Sequence, residues 1–372
     1  MSAERERRAR MALACVLEPG RHRCSGQVLE EGAEAVWAQA LAGQVKGLRA
    51  SPAELDVDAV MTQTQRAGAR FVIPGDDEWP EPLDDLRQIQ AVGETASDTP
   101  LGLWVTGAPD LAAMGSGSVA IVGSRASTAY GETVASDLAA GLADLGLPVV
   151  SGAAYGIDAA AHRGSLSADG ITVAVLACGV DRDYPAGNAA LLRQIRRTGL
   201  VVSEHPPGAT VNRTRFLARN RIIAALTSGT VLVEFALRSG ARNTMSWAGD
   251  LSRKVLAVPG PVTSAMSDGP NSAIRDRGAS LVTSAHDVVL ALTDAAVPDP
   301  VHQSEPATRF DQLTADQQRV REALPSRGGI TVGEVSALTG LVVPLCLMRL
   351  AELEQQGFAW AEAGLWRAQG VV

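Results

Sequence analysis

The amino-acid sequence predicts an α/β fold: a doubly wound parallel sheet, preceded by a helical segment and followed by a winged-helix-like module. Three observations predict it. Six short runs rich in β-branched residues recur between Ser118 and Val258, apolar at successive positions and so suited to strands buried on both faces. Ala- and Leu-rich segments of helical period separate them, an alternation that gives parallel strands joined by right-handed crossovers. Small residues close the runs, where a strand must turn tightly into the next helix.

Residues 1–70 read as helices. Segments 32–44 and 52–67 carry apolar residues at helical spacing, and Ser51-Pro52 is a helix-start signal. Residues 71–110, rich in Pro, Gly and Asp, read as an irregular lead-in with one or two strands. The strand runs follow at 119–122, 148–150, 171–176, 200–202, 231–233 and 254–258, with helices such as 133–145 and 188–197 between them. One α/β domain is therefore expected over 71–293. Residues 294–309 form a Pro-rich linker. In the last module, 310–372, segments 314–324, 332–339 and 344–356 read as helices and 357–367 as a hairpin, the order of a winged helix.

With 46% hydrophobic and 20% charged residues over 372 positions, a packed chain of two or three domains is expected. No apolar run is long enough to span a bilayer, no secretory signal is evident, and Cys15, Cys24, Cys178 and Cys346 form no CxxC pair. A reducing cytoplasm is the expected compartment. The net charge of −8 argues superficially against a polyanionic partner. However, residues 76–98 hold eight acids against Arg87 alone, so −7 of that charge sits in one segment. Local potential matters more for a binding groove.

In an open α/β sheet, ligands bind at the carboxyl ends of the strands. Those ends carry Gly123-Ser124-Arg125, Ser151-Gly152, Cys178-Gly179, Ser203-Glu204, Glu234 and Pro259-Gly260. Small residues let backbone amides approach an anion closely, and helix N-termini favour negative charge. Between Glu204 and Glu234 there is no acid, while Arg213, Arg215, Arg219 and Arg221 fall within nine positions around Phe216. Guanidiniums that neutralise phosphates, beside a ring that offers a stacking face, suit a nucleic-acid strand. An exposed helix start with solvated charges fits the same run.

Other groups point to no chemistry. The Gly115-Ser-Gly117 pair precedes its strand, so it is not a dinucleotide fingerprint, and no GxxxxGK[ST] loop occurs. Asp158 and His162 suit capping and packing, since no third metal ligand is evident. Cys178 suits the core, for lack of a His partner. Glu234 suits an ion pair with a nearby arginine better than general-base catalysis. No cofactor, no metal and no catalytic residue is expected.

The order of motifs resembles the DNA-processing protein A family, also called Smf. The motifs are Val122-Gly-Ser-Arg125, Tyr130-Gly131, Ser151-Gly-Ala-Ala-Tyr-Gly-Ile-Asp158, Gly179-Val-Asp-Arg-Asp-Tyr-Pro185, Ser203-Glu204, Pro207-Gly208, Phe216-Leu-Ala-Arg-Asn-Arg-Ile-Ile223, Glu234, Ser239-Gly240, Thr244 and Pro259-Gly260. Trp79-Pro80 with Leu83 stands where the family carries Tyr-Pro and Leu. The resemblance covers residues 71–290. It implies an extended Rossmann core that binds single-stranded DNA without catalysis, forms homodimers and recruits the recombinase RecA during natural transformation. It also implies that Gly123, Ser124, Arg125, Ser151 and Gly152 hold backbone phosphate, and that Phe216, Arg219, Asn220 and Arg221 line the rest of the pocket. Arg213 and Arg215 fall in the preceding basic stretch.

The chain departs from the family pattern in three places. Ser239-Gly-Ala-Arg-Asn-Thr244 replaces the family's Ser-Gly-Ser-Leu-x-Thr, which brings Arg242 near the groove. Ser272-Ala-Ile-Arg-Asp-Arg-Gly278 is looser than the family segment, and the N-terminal helices lack a helix-hairpin-helix glycine pattern. In the third C-terminal helix Arg349 faces Glu352 and Glu354, a balance that suits protein contact or self-association over duplex DNA. A rival reading is a nucleotide-processing phosphoribohydrolase on a related scaffold, but Val233-Glu234-Phe-Ala-Leu-Arg-Ser-Gly stands where its Pro-Gly-Gly-x-Gly-Thr loop would be. A purely architectural interaction protein is the third.

Overall fold

The computed structural model describes residues 3–20, 24–89, 91–92, 95–96, 98–115, 117–237, 239–293, 310 and 312–369. The linker expected at 294–309 lies outside the described residues. The chain divides into two units, residues 1–296 and 297–372.

The first unit opens with α1 (Ala3–Val16), α2 (Cys24–Glu31), α3 (Ala33–Leu41) and α4 (Val57–Arg66). Strand β1 (Ala69–Val72), the two-residue strands β2 (Ala91–Val92) and β3 (Thr95–Ala96), and β4 (Leu103–Thr106) follow. The repeating part runs β5 (Val119–Val122), α5 (Ala129–Asp144), β6 (Val149–Ser151), α6 (Ile157–Ser167), β7 (Thr172–Leu176), α7 (Ala189–Thr198) and β8 (Leu200–Ser203). It continues through α8 (Arg213–Leu226), β9 (Gly229–Leu232), α9 (Gly240–Asp250), β10 (Lys254–Ala257), α10 (Asp268–Arg277), β11 (Ser280–Leu281) and α11 (Ala285–Thr293).

The nine-stranded sheet has the order β1-β4-β8-β7-β6-β5-β9-β10-β11. From β5 the chain steps outward through β6, β7 and β8, and α8 then carries it back to β9 on the other side of β5. That reversal makes the β5/β9 boundary the switch point, where such sheets open a crevice at their carboxyl ends. The strands from β8 to β11 are parallel, as the alternating pattern predicts. The edge differs: β4 pairs antiparallel with both β1 and β8. No crossover α-helix joins β1 to β4, only 3₁₀ turns and short strands, so nothing holds them parallel.

Alternate residues of each central strand go to opposite faces. On β5, Ala120 and Val122 pack with Ile222, Leu226 and Trp247 of α8 and α9, while Val119 and Ile121 pack with Leu138, Leu142 and Ala160 of α5 and α6. On β7, Ala174 and Leu176 join a third cluster with Leu13, Val16 and Val36, so the N-terminal helices cover one side of the sheet. Trp104 of β4 stacks on Phe71 of β1 at 4.4 Å and donates its indole N–H to Thr64 Oγ1 at 3.0 Å, joining α4 to the sheet edge. Among the described residues no single helix is long and apolar enough to cross a membrane.

The second unit contains α12 (Ala315–Ala323), α13 (Val332–Thr339) and α14 (Val343–Gln355), then the hairpin strands β12 (Ala359–Glu362) and β13 (Leu365–Ala368). Thr314 with Gln317, and Thr331 with Glu334, form reciprocal capping boxes that fix the starts of α12 and α13. Val320, Cys346, Leu350, Leu353 and Phe358 make its core, and Arg349 pairs with Glu352 at 2.8 Å.

Candidate nucleic-acid interface

The loop after β5 is fixed before any ligand arrives. Ser124 N–H donates to the Glu234 carbonyl at 2.5 Å, and Ile157 N–H donates to the Ser124 carbonyl at 3.2 Å. Gly123 is required here, because a Cβ would collide with Ile157 and the Glu234 carbonyl. The loop thus presents Ser124 and Arg125 at the mouth of an open cleft of about 700 Å3, lined also by Arg213, Phe216, Arg219, Asn220, Ser239 and Arg242.

Helical phase divides α8. Positions 213, 216, 220 and 223 recur at helical spacing, and with Arg219 they line the cleft. Arg215 and Arg221 point elsewhere, although they belong to the same basic run. Arg215 is buried and gives two hydrogen bonds to Glu18, 2.7 Å from Nε and 2.8 Å from Nη2. The Arg221 side chain has no exposed surface; it grips Glu204 through both terminal nitrogens at 2.7 Å and donates Nε to the Asp98 carbonyl at 3.0 Å. These two arginines are interior ion pairs and not groove residues. The reason is burial: an unpaired guanidinium on the packed face would be prohibitively costly.

The cleft residues form a graded set. Arg213 and Arg242 are exposed at the rim. Arg125, also exposed, lies over the Phe216 ring at 4.6 Å, and Tyr184 lies 6.0 Å from the other aromatic. Arg219 forms the floor, 6% exposed, with Nη1 donating to the Val175 carbonyl at 2.5 Å and its buried Nε without a partner. Burial pulls its guanidinium down to about 10, with Asp158 opposing, so it remains a cation at neutral pH. Gly152 abuts this guanidinium so closely that a Cβ would overlap it. Asn220 donates Nδ2 to Asn243 Oδ1 at 3.2 Å, holding the first turn of α9 against α8.

Several other side chains serve the frame. Ser151 is fully buried and its hydroxyl donates to the Ile121 carbonyl at 2.7 Å, so it joins strands and does not face the cleft. Glu234 forms no ion pair with an arginine among the described residues. Its carboxylate accepts from Thr128 N–H at 2.9 Å and Thr128 Oγ1 at 2.7 Å, and it lies against Gly131, so it anchors the start of α5. His162 is buried, pushed down to about 3 by desolvation, and bonds Thr172 Oγ1 through Nδ1 at 2.7 Å. Among the described residues no group of acids, histidines and cysteines could hold a metal ion. Cys178 is a core side chain whose thiol burial pushes up to about 11.

The sequence reading passed over a second recess. A pocket of about 150 Å3 shares Arg125, Ala154 and Phe216 with the cleft and adds Gly152, Tyr155 and Tyr184. Both tyrosines are more than 40% exposed. A signal was present: all three tyrosines of the chain follow carboxyl strand ends, Tyr155 and Tyr184 in loops and Tyr130 in the first turn of α5. Leu237 and Asn243 line the cleft as well, without any distinguishing pattern in the sequence.

A carboxyl-edge cleft at a sheet's switch point, lined by arginines around an aromatic, defines a Rossmann-type binding protein shaped for a polyanion. Residues 70–293 match the family model described as DNA recombination-mediator protein A. Over 308 residues the chain is 46% identical to a Mycobacterium tuberculosis (strain H37Rv) protein provisionally named DNA processing protein DprA, covering 81% of this chain and 77% of that one. The fold matches the X-ray structure of DNA processing protein A from Streptococcus pneumoniae with a TM-score of 0.63 and 30% identity, covering 78% of this chain and 98% of that one. It also matches DNA processing protein A from Helicobacter pylori, a structure described for its single-stranded DNA binding mode, with a TM-score of 0.52 and 25% identity, over 61% and 98% of the two chains. The chain belongs to the DNA recombination-mediator protein A family, and its role is in DNA processing.

Proposed function

We propose that the cleft binds single-stranded DNA. Arg125, Arg213, Arg219 and Arg242 take backbone phosphates, and Phe216 with Tyr155 and Tyr184 offers faces on which unpaired bases stack. The observation that carries this is the Arg125 guanidinium lying over Phe216 at the cleft mouth, a cation and a ring presented together. A duplex keeps its bases stacked inside and offers no face to that ring. The H. pylori relative's single-strand binding mode supports the same reading.

No catalytic step is assigned: the Glu234 carboxylate is engaged by Thr128, and the Asp158 carboxylate, which lines the cleft, is buried beside Arg219. The protein is read as a cytoplasmic homodimer that hands bound strand to the RecA recombinase during natural transformation, with residues 310–372 as a winged-helix module for protein contact. The dimer and RecA rest on the family resemblance, the compartment on the cysteines, and the module's role on the charge balance of Arg349 with Glu352 and Glu354. Fluorescence anisotropy of labelled oligo(dT) and its duplex across a salt series tests the cleft. Four phosphate contacts give a slope of log affinity against log salt of roughly −3 for the single strand. Arg125→Ala reduces that slope by about 0.7 and leaves thermal unfolding almost unchanged. Equal affinity for duplex and single strand, or an unaltered slope in the variant, refutes the assignment.

A further inference from the structure

The first turn of α8 presents Arg213 and Phe216 to the cleft and is gripped from its opposite side. Asn212 Oδ1 caps it by accepting the Arg215 N–H at 2.9 Å. Arg215 then reaches back, donating Nη1 to the Thr210 carbonyl at 2.5 Å and its Nε and Nη2 to Glu18. Glu18 follows α1, 197 positions away in the chain, and its side chain is only 12% exposed. Arg49 Nη1 stands 3.9 Å from the same carboxylate. A second tie comes from the N-terminal segment: Ser25 bonds the Asp98 carboxylate, and the Asp98 carbonyl receives Arg221 further along α8.

We propose that Glu18 is a positioning residue for the DNA cleft: its two-pronged grip on Arg215 sets the rotation of α8 that aims Arg213 and Phe216 at the strand. The N-terminal helices are then a working part of the binding apparatus. The reading rests on the cleft being the single-strand site. A paired fork of guanidinium and carboxylate is planar and directional, so it fixes orientation as well as position. Each α8 residue sits about 100° around the axis from the next, and a small rotation of the turn carries Arg213 and Phe216 away together. Glu18 also neutralises Arg215. Without it, a buried cation one position from Phe216 would draw the turn toward another anion.

The test uses the full-length chain, labelled oligo(dT) and a double-mutant cycle. Glu18→Gln weakens binding roughly tenfold, within the range for coupled neighbours. Adding Glu18→Gln to a chain that already carries Arg213→Ala and Phe216→Ala costs little beyond those two changes, because the aim of missing side chains no longer matters. Asp76→Asn breaks the ion pair that ties Arg7 of α1 to Asp76 in the turn after β1, away from α8, and serves as the stability control. It lowers the unfolding temperature and leaves affinity unchanged. Where Glu18→Gln does not fold, Glu18→Asp keeps the charge but falls one methylene short, and the same non-multiplying loss is expected. Wild-type affinity in the Glu18 variants, or a loss that multiplies in full with that of the combined Arg213→Ala and Phe216→Ala changes, overturns the proposal. Failure of the wild-type chain to bind the oligonucleotide at all overturns the cleft reading instead.

Discussion

The two faces of α8 carry the same residue type and use it in opposite ways. On the cleft side Arg213 is exposed and Arg219 forms a floor, with no carboxylate in salt-bridge contact with either among the described residues. On the packed side Arg215 and Arg221 are each held by a glutamate through two hydrogen bonds. A guanidinium in contact with a carboxylate has its field cancelled and its donors occupied, whereas one left facing solvent can exchange counterions for phosphate. The paired and the cleft-facing arginines therefore differ in whether a glutamate meets them, not in composition.

The contrast can be broken most severely at Arg221. Arg221→Ala leaves the Glu204 carboxylate buried and uncompensated, and removal of one partner of a buried pair costs about 3–5 kcal/mol. Chemical denaturation should show that loss, while affinity per folded molecule stays near wild type. Large loss of binding at unchanged stability would reverse the assignment of the two faces. On the cleft side, Phe216→Ala should cost about 1–3 kcal/mol of single-strand affinity, as for other bases stacked on aromatics. Titration calorimetry should find it with little change in the salt slope.

The smallest effect concerns pH. Burial alone would raise the Glu18 carboxyl, but Arg215 overrides it and holds it below the ordinary 4.5. A depressed carboxyl contributes stability above its ordinary value and loses it as pH falls through the lowered one. Wild-type stability should thus decline on acidification below 4.5 more steeply than that of Glu18→Gln. Parallel acid limbs would show that the pair contributes nothing to folding.

Much of this was legible in the residues. The six β-branched runs became strands β5 to β10 because apolar residues at successive positions can be buried only by helices on both sides. The cleft-lining Gly123, Ser124 and Arg125 followed from the rule that ligands meet strand ends, Phe216 and Arg219 from the acid-free arginine run, and Arg242 from the departure at 239–244. What escaped was pairing over long separations. Nothing near Arg215 in the chain points to Glu18, and nothing near Glu234 predicts that Thr128 would take it from the arginines. The antiparallel edge escaped because the four-residue strands β1 and β4 are too short to reveal direction. Helical phase sets Arg213, Phe216 and Asn220 on one side of α8, but Arg215 and Arg219 are four positions apart and share a face, so phase alone does not separate them.

Gly152 gives the cleft an uneven tolerance of change. The Arg219 cation rests directly against bare main chain at the end of β6, a position only a residue without a Cβ leaves open. Rim positions such as 213 and 242 can exchange one basic side chain for another and keep their reach. Any side chain introduced at 152 would overlap the guanidinium and force it to move, so the bottom of the site tolerates less change than its edge.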